Sequence, residues 1–169
     1  MITFKTFLTE SRSAPLYHAS PKGLSILKDN ALNKGKLKEP GLDRSTVSLT
    51  RNFIFAKNWL DEYGARDDGV IFELDQRKLS QNFKIVPYNF FANTYDKASA
   101  REAPEMKTFT KGKDYSFHNQ FEEAVFADIK PLNRYVKTVW VGNRTDMEVT
   151  FLARGLGLTV KNYQKETPK

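Results

Sequence analysis

The 169-residue sequence contains no cysteine. That excludes disulfides, thiol nucleophiles and thiolate metal sites. Histidine is nearly as scarce: only His18 and His118 occur, and neither stands at zinc-type spacing to other ligands, so no metal is expected. No apolar run reaches the roughly 18 residues that a membrane-spanning helix needs, so no membrane contact is expected. Internal repeats and low-complexity blocks are also missing. Most familiar signatures of chemistry are therefore absent, and any function has to be carried by ordinary polar side chains.

What is present suits one packed domain. Hydrophobic residues make up 40% of the chain and 13 of its residues are Phe, enough to fill one core. The formal net charge is +7. A basic balance favours polyanions, either nucleic acid or an anionic dinucleotide. Lys and Arg are spread along the chain rather than clustered, so the same charge also reads as ordinary solubility charge.

The patterning predicts short strands with few helices, an α+β class. Residues 16–19 read as a strand, and Ser20-Pro21 as a helix start with Leu24, Leu27 and Ala31 inward. Residues 33–45 read as a loop. Val47-Ser48-Leu49 is a strand ending at Thr50-Arg51, and Asn52 caps a helix running to Tyr63. Gly69–Leu74 is a strand, Asp75 caps one turn through Leu79, and Phe83–Tyr88 is extended. Residues 91–119 are polar and carry Pro104 and Gly112; a stretch that long inside a domain is usually functional or disordered. Strands are expected over 123–129, Tyr135–Val141 and Leu158–Tyr163, with a helix capped by Asp146 and ended by Gly155 and Gly157. Trp59, Phe72 and Trp140 read as core.

Three short segments place polar residues at strand ends, in a fixed order. Tyr17-His18 comes first, Ser48-x-Thr50-Arg51 second, and Gln120-x-Glu122-Glu123 third. A carboxylate at a strand start can grip a ribose hydroxyl and place negative charge beside an oxocarbenium-like sugar. Arg51 can act as a bidentate donor to a pyrophosphate, and Phe55 or Tyr17 can stack on an aromatic base. Glu122 and Glu123 point to opposite faces of a strand, and both faces look apolar. Each element also has a plain structural reading: a surface His, a common strand pattern and a solvated acidic pair.

Taken together the three segments resemble the ADP-ribosyltransferase superfamily. Tyr17-His18 matches its His branch, while Val47-Ser48-Leu49-Thr50 is similar to the hydroxyl segment of its other branch. A Tyr in the middle position of the family's triad is missing. The resemblance implies a split mixed β-sheet and NAD as substrate. It also implies a cofactor-binding set of Tyr17, His18, Ser48, Thr50, Arg51 and Phe55. Its spacing favours Glu122 over Glu123 as the catalytic carboxylate, with Gln120 orienting the acceptor. The family's target loop precedes that Glu, which places Tyr115 and Phe117 against an acceptor. The acceptor would be a host protein or a nucleic acid.

The first residues carry a second resemblance. Phe4, Phe7, Leu8 and Ser11 share a helical face, which an N-terminal helix packed on the domain would explain. Leu8-Thr9-Glu10-Ser11 is also similar to the processing site of capsid-targeting segments in internal head proteins of T-even-type phages. That likeness implies cleavage between Glu10 and Ser11, ahead of a single ADP-ribosyltransferase-like domain expected over 11–163; the tail over 164–169 reads as polar. It also implies packaging in the virion and delivery to the host cytoplasm. Two functions follow as expectations. One is a phage mono-ADP-ribosyltransferase. The other is a non-enzymatic internal head protein that contacts DNA or inhibits a host defence nuclease. A 2′-phosphotransferase-like RNA enzyme would want several Arg around a phosphate, and only Arg51 is well placed.

Overall fold

The computed structural model describes residues 14–35, 46–63, 68–87 and 122–168. Along the chain they form β1 (Leu16–Ser20), α1 (Gly23–Asp29), β2 (Val47–Thr50), α2 (Phe53–Tyr63), β3 (Val70–Leu74) and α3 (Gln76–Ser80). There follow β4 (Ile85–Pro87), β5 (Glu122–Val125), α4 (Leu132–Tyr135), β6 (Val136–Val141), α5 (Met147–Gly155) and β7 (Thr159–Asn162). The strands form one seven-stranded sheet in the order β4-β5-β2-β1-β3-β6-β7. Among the described strands only β6 and β7 pair in parallel, joined through α5. The class is α+β with a mixed sheet, as expected.

Period-two alternation sorts the side chains onto two faces. Leu16, Val47, Leu49, Val70, Phe72, Val125 and Val139 build the larger core, covered by α1, α3, α4 and α5. Tyr17, Ile71 and Trp140 build the smaller one under Phe53, Ala56 and Leu60 of α2. Each expected helix cap except the first is found. Asn52 Oδ1 accepts the Phe55 N–H at 3.1 Å, Asp75 accepts that of Lys78, and Asp146 that of Glu148. Gly157 closes α5 with φ at +75°, a conformation that glycine adopts without strain.

Three boundaries differ from the sequence reading. The first helix starts at Gly23, not at Ser20-Pro21, because Ser20 Oγ accepts the Lys22 N–H and closes a local turn instead. Gly23 then lies so close to the sheet that a Cβ would sit 2.4 Å from the Asp68 carbonyl oxygen. The strand expected over 123–129 ends at Val125, and Ile129 makes an isolated bridge to Leu32 instead. Tyr135 closes the helical turn α4 before β6 begins. The long polar stretch, with Tyr115, Phe117 and Gln120, lies outside the described residues, as do Glu10 and Ser11.

The centre of the sheet is its thinnest seam. β1 shares five register pairs with β3 but only one, Tyr17 with Thr50, with β2. β2 in turn pairs along its whole length with β5, which sets Leu49 opposite Glu123 and Thr50 opposite Glu122. The two halves therefore part where β1 and β2 diverge.

Candidate active-site cleft

A cleft of about 610 Å³ opens at this seam, within the size range of small-molecule sites. The sheet contributes Tyr17, His18, Ser48, Leu49 and Thr50 to its walls, α1 contributes Ser25, Ile26 and Asp29, and α2 contributes Phe55, Ala56 and Trp59. Five of the expected cofactor-binding residues, Tyr17, His18, Ser48, Thr50 and Phe55, thus share one cavity. Thr50 stands at the end of β2, where the chain turns into α2, whereas His18 is the middle residue of β1 and Ser48 lies inside β2, not at strand ends as the sequence suggests.

His18 is half-buried and bridges the seam. Its Nδ1 lies 2.8 Å from the Ser48 carbonyl oxygen. A carbonyl only accepts, so Nδ1 carries the proton, and in the neutral ring Nε2 is left as an acceptor. Burial lowers the pKa of His18 below the ordinary value, and the Ser48 bond opposes that only in part. The ring also stacks on Phe72, with centroids 6.4 Å apart. Tyr17 is buried edge-on against Phe53, and burial and the nearby Glu73 charge raise its phenol pKa. Thr50 is buried as well, and its Oγ1 accepts the Asn52 N–H at 3.0 Å, so its hydroxyl also serves the helix start. Ser48 is exposed, and Phe55 is half-buried on the opposite wall.

Arg51 and Glu123 lie beside the cleft rather than on its lining. The Arg51 Nε donates to Glu123 Oε1. The sequence reading set Arg51 toward a pyrophosphate; in the structure its Nη1 donates to Gln76 Oε1 at 2.9 Å. The cause is the turn after β2, which brings Arg51 between β5 and the first residue of α3. The Glu123 side chain is only 3% exposed. Burial raises its pKa, and the Arg51 charge and hydrogen bond pull back against that without cancelling it. Its second oxygen accepts no hydrogen bond among the described residues. For Glu122 the register is fixed, opposite Thr50.

The sequence reading missed two of these participants. The sequence reads Trp59 as core, yet it is only half-buried and lines the cleft. Its position four residues after Phe55 on the same helix face was the available signal. Gln76 carried no signal, since nothing in the chain marks it as the partner of an Arg 25 residues earlier. Among the described residues no group of three His, Asp or Glu could hold a metal ion, and no helix is long and apolar enough to cross a membrane.

Thermus sp. 2.9 DarT in complex with carba-NAD+ has a similar solved structure, with a TM-score of 0.50 at 11% identity over 90% of this chain and 96% of that one. The fold is ADP-ribosyltransferase-like. Thermosipho africanus DarTG in complex with ADP-ribose matches with a TM-score of 0.48 at 15% identity, covering 88% of this chain and 49% of that one. No family model matches the sequence. No curated protein matches it either. Among the described residues, the cleft at the β1/β2 seam and the buried Glu123 carboxylate on the neighbouring β5 lie on adjoining parts of this sheet.

Proposed function

We propose that the protein is a mono-ADP-ribosyltransferase that takes NAD as substrate and moves ADP-ribose to a macromolecular acceptor. The observation that carries this reading is the buried carboxylate of Glu123, held by Arg51 through one oxygen and placed opposite Leu49 of the cleft wall. The fold shared with a DarT that binds carba-NAD+ supports it.

In the reaction the bond between nicotinamide and the ribose C1 breaks. The bonding electrons leave with nicotinamide, which departs neutral. The ribose carries the positive charge until an acceptor atom bonds to C1 and gives up its proton. Glu123, ionised, would accept a hydrogen bond from the ribose 2-hydroxyl through its second oxygen and stabilise the cation. A carboxylate in a dry site acts more strongly than one in water. Neutral His18 would accept from a sugar hydroxyl through Nε2. Ser48 would donate from the exposed rim, and Phe55 and Trp59 would face a base ring. The Gln-x-Glu spacing points to Glu122 instead, with Gln120 orienting the acceptor, so the two carboxylates have to be separated by mutation.

The acceptor is a nucleic acid or a protein of a host cell. The net charge of +7 suits a polyanion, and Tyr115 and Phe117 are the side chains we assign to its contact. Phage origin, packaging in the head and cleavage between Glu10 and Ser11 rest on the first eleven residues alone. Mass spectrometry of the N-terminus after co-expression with a prohead protease tests them.

The test of activity is transfer of label from NAD into a bacterial lysate by wild type, Glu122→Gln and Glu123→Gln. Label lost only with Glu123→Gln supports the assignment. Loss only with Glu122→Gln moves the role to Glu122. No label and no nicotinamide release from wild type would leave the DNA-binding or nuclease-inhibiting head protein as the better reading.

A further inference from the structure

We infer that Gln76 is a positioning residue for the carboxylate: it holds the guanidinium of Arg51 in one plane, and Arg51 in turn holds Glu123. The catalytic part of this inference rests on the transferase reading, whereas the structural part does not.

The argument starts from how Gln76 reaches Arg51. Gln76 is the first residue of α3 and is 7% exposed. Its backbone is fixed from two sides. The preceding Asp75 donates its N–H to the Tyr135 carbonyl at 2.7 Å, and its side chain both caps α3 and meets Lys137 Nζ at 3.1 Å. The amide oxygen is thereby aimed at Arg51 Nη1, while Arg51 Nε is taken by Glu123. Two donors of one rigid planar group, held by partners on different elements, leave it no rotation about its own bonds.

The chemistry of the side chain is the second strand of the argument. The Gln76 amide nitrogen has no hydrogen-bond partner among the described residues. A buried amide with idle donors is unfavourable, and an apolar residue of the same volume would pack the site at less cost. Gln76 therefore makes sense through its oxygen. That oxygen is an uncharged acceptor. It holds Arg51 without itself competing for the guanidinium charge that Glu123 meets. A carboxylate at this place would divide that charge and push the two acids against each other.

The experiment compares wild type with Gln76→Met, which keeps the volume and removes the acceptor, and with Gln76→Glu, which adds the charge. Three readouts are taken: the titration of the Glu123 carboxyl by carbon NMR, kcat and KM for NAD, and the urea midpoint. The inference expects both variants to titrate Glu123 at higher pH than wild type. It expects Gln76→Met to lose about tenfold in kcat, the order seen when an outer partner of a functional group is removed, with KM for NAD little changed. It also expects the Gln76→Met urea midpoint to stay near that of wild type. If both variants leave the Glu123 titration where wild type has it, the inference is overturned, whatever the activity. Should Gln76→Met fail to fold, Gln76→Glu alone decides on the same titration. A wild type that consumes no NAD while the titrations still move would refute the transferase reading and leave the positioning role standing.

Discussion

Replacing Arg51 by Met tests the electrostatics of the site most directly. The substitution keeps much of the side-chain length and removes the only hydrogen bond that reaches Glu123 among the described residues. Breaking a buried ion pair from one side costs roughly 3–5 kcal/mol when the remaining charge stays buried. Arg51 is the more exposed member, 21% against 3%, which puts the expectation at the lower end, about 3 kcal/mol. With a denaturant slope of about 2 kcal/mol per M urea, the midpoint should fall by about 1.5 M. The sign of its pH dependence separates this cause from others. Burial already raises the Glu123 pKa in the wild type, and losing Arg51 removes both influences that lower it. In the variant the folded state therefore binds a proton more tightly than the unfolded chain over a wider window. Stability is fully present below the unfolded Glu value and is lost as pH rises through the raised folded value. Urea unfolding at pH 5 and pH 8 should show the deficit mostly at pH 8 and shrunken at pH 5. A deficit of equal size at both, or one below about 1 kcal/mol at pH 8, would refute the claim that Glu123 is an ionised buried group held by Arg51.

Three further outcomes follow from the packing. Gly23→Ala should destabilise by about 2 kcal/mol in thermal unfolding, because a Cβ would meet the Asp68 carbonyl at 2.4 Å and the Val70 methyls at 2.8 Å. Trp140→Phe should cost about 2–3 kcal/mol, since Trp140 is fully buried and its Nε1 donates to Glu73 Oε2 at 2.8 Å; chemical denaturation measures it. For His18, nitrogen NMR should show the proton on Nδ1 near neutral pH. Its folded pKa lies below the ordinary 6.5, so its share of stability is present above that value and lost as pH falls through the lowered one. His18→Ala should remove that part of the pH dependence.

Most of the architecture was legible in the chain because its signals are local. Val70-Ile71-Phe72-Glu73-Leu74 and the run from Val136 to Val141 could only be strands, and Asn52, Asp75 and Asp146 cap the helices that follow them. The first helix was misplaced because Ser20 is as good a turn former as it is a cap, and the backbone at Lys22 decides between the two. The lining of the cleft was legible in part, but not the wiring beside it. Tyr17, His18, Ser48 and Thr50 read as polar or aromatic positions on short strands and Phe55 as a stacking face on the helix that follows, and one cavity gathers them. That Arg51 bonds Glu123 and Gln76 is a fact about side chains 72 and 25 residues apart, and no local pattern encodes it. The same limit applies to Trp59, whose helical spacing marks a face without saying whether a core or a cleft lies opposite.

The single register pair between β1 and β2 has a mechanical consequence. His18 belongs to the half of the sheet built on β3, and Glu123 to the half built on β2, so the two groups ride on separate slabs. Their spacing is then set less by either slab than by whatever lies across the seam. A molecule bound there would work as a rivet, and its binding free energy would appear as resistance of the two slabs to being pulled apart. Amide exchange at Ser48 and Ala19 on either side of the seam would report that resistance first, well before global unfolding registered a change.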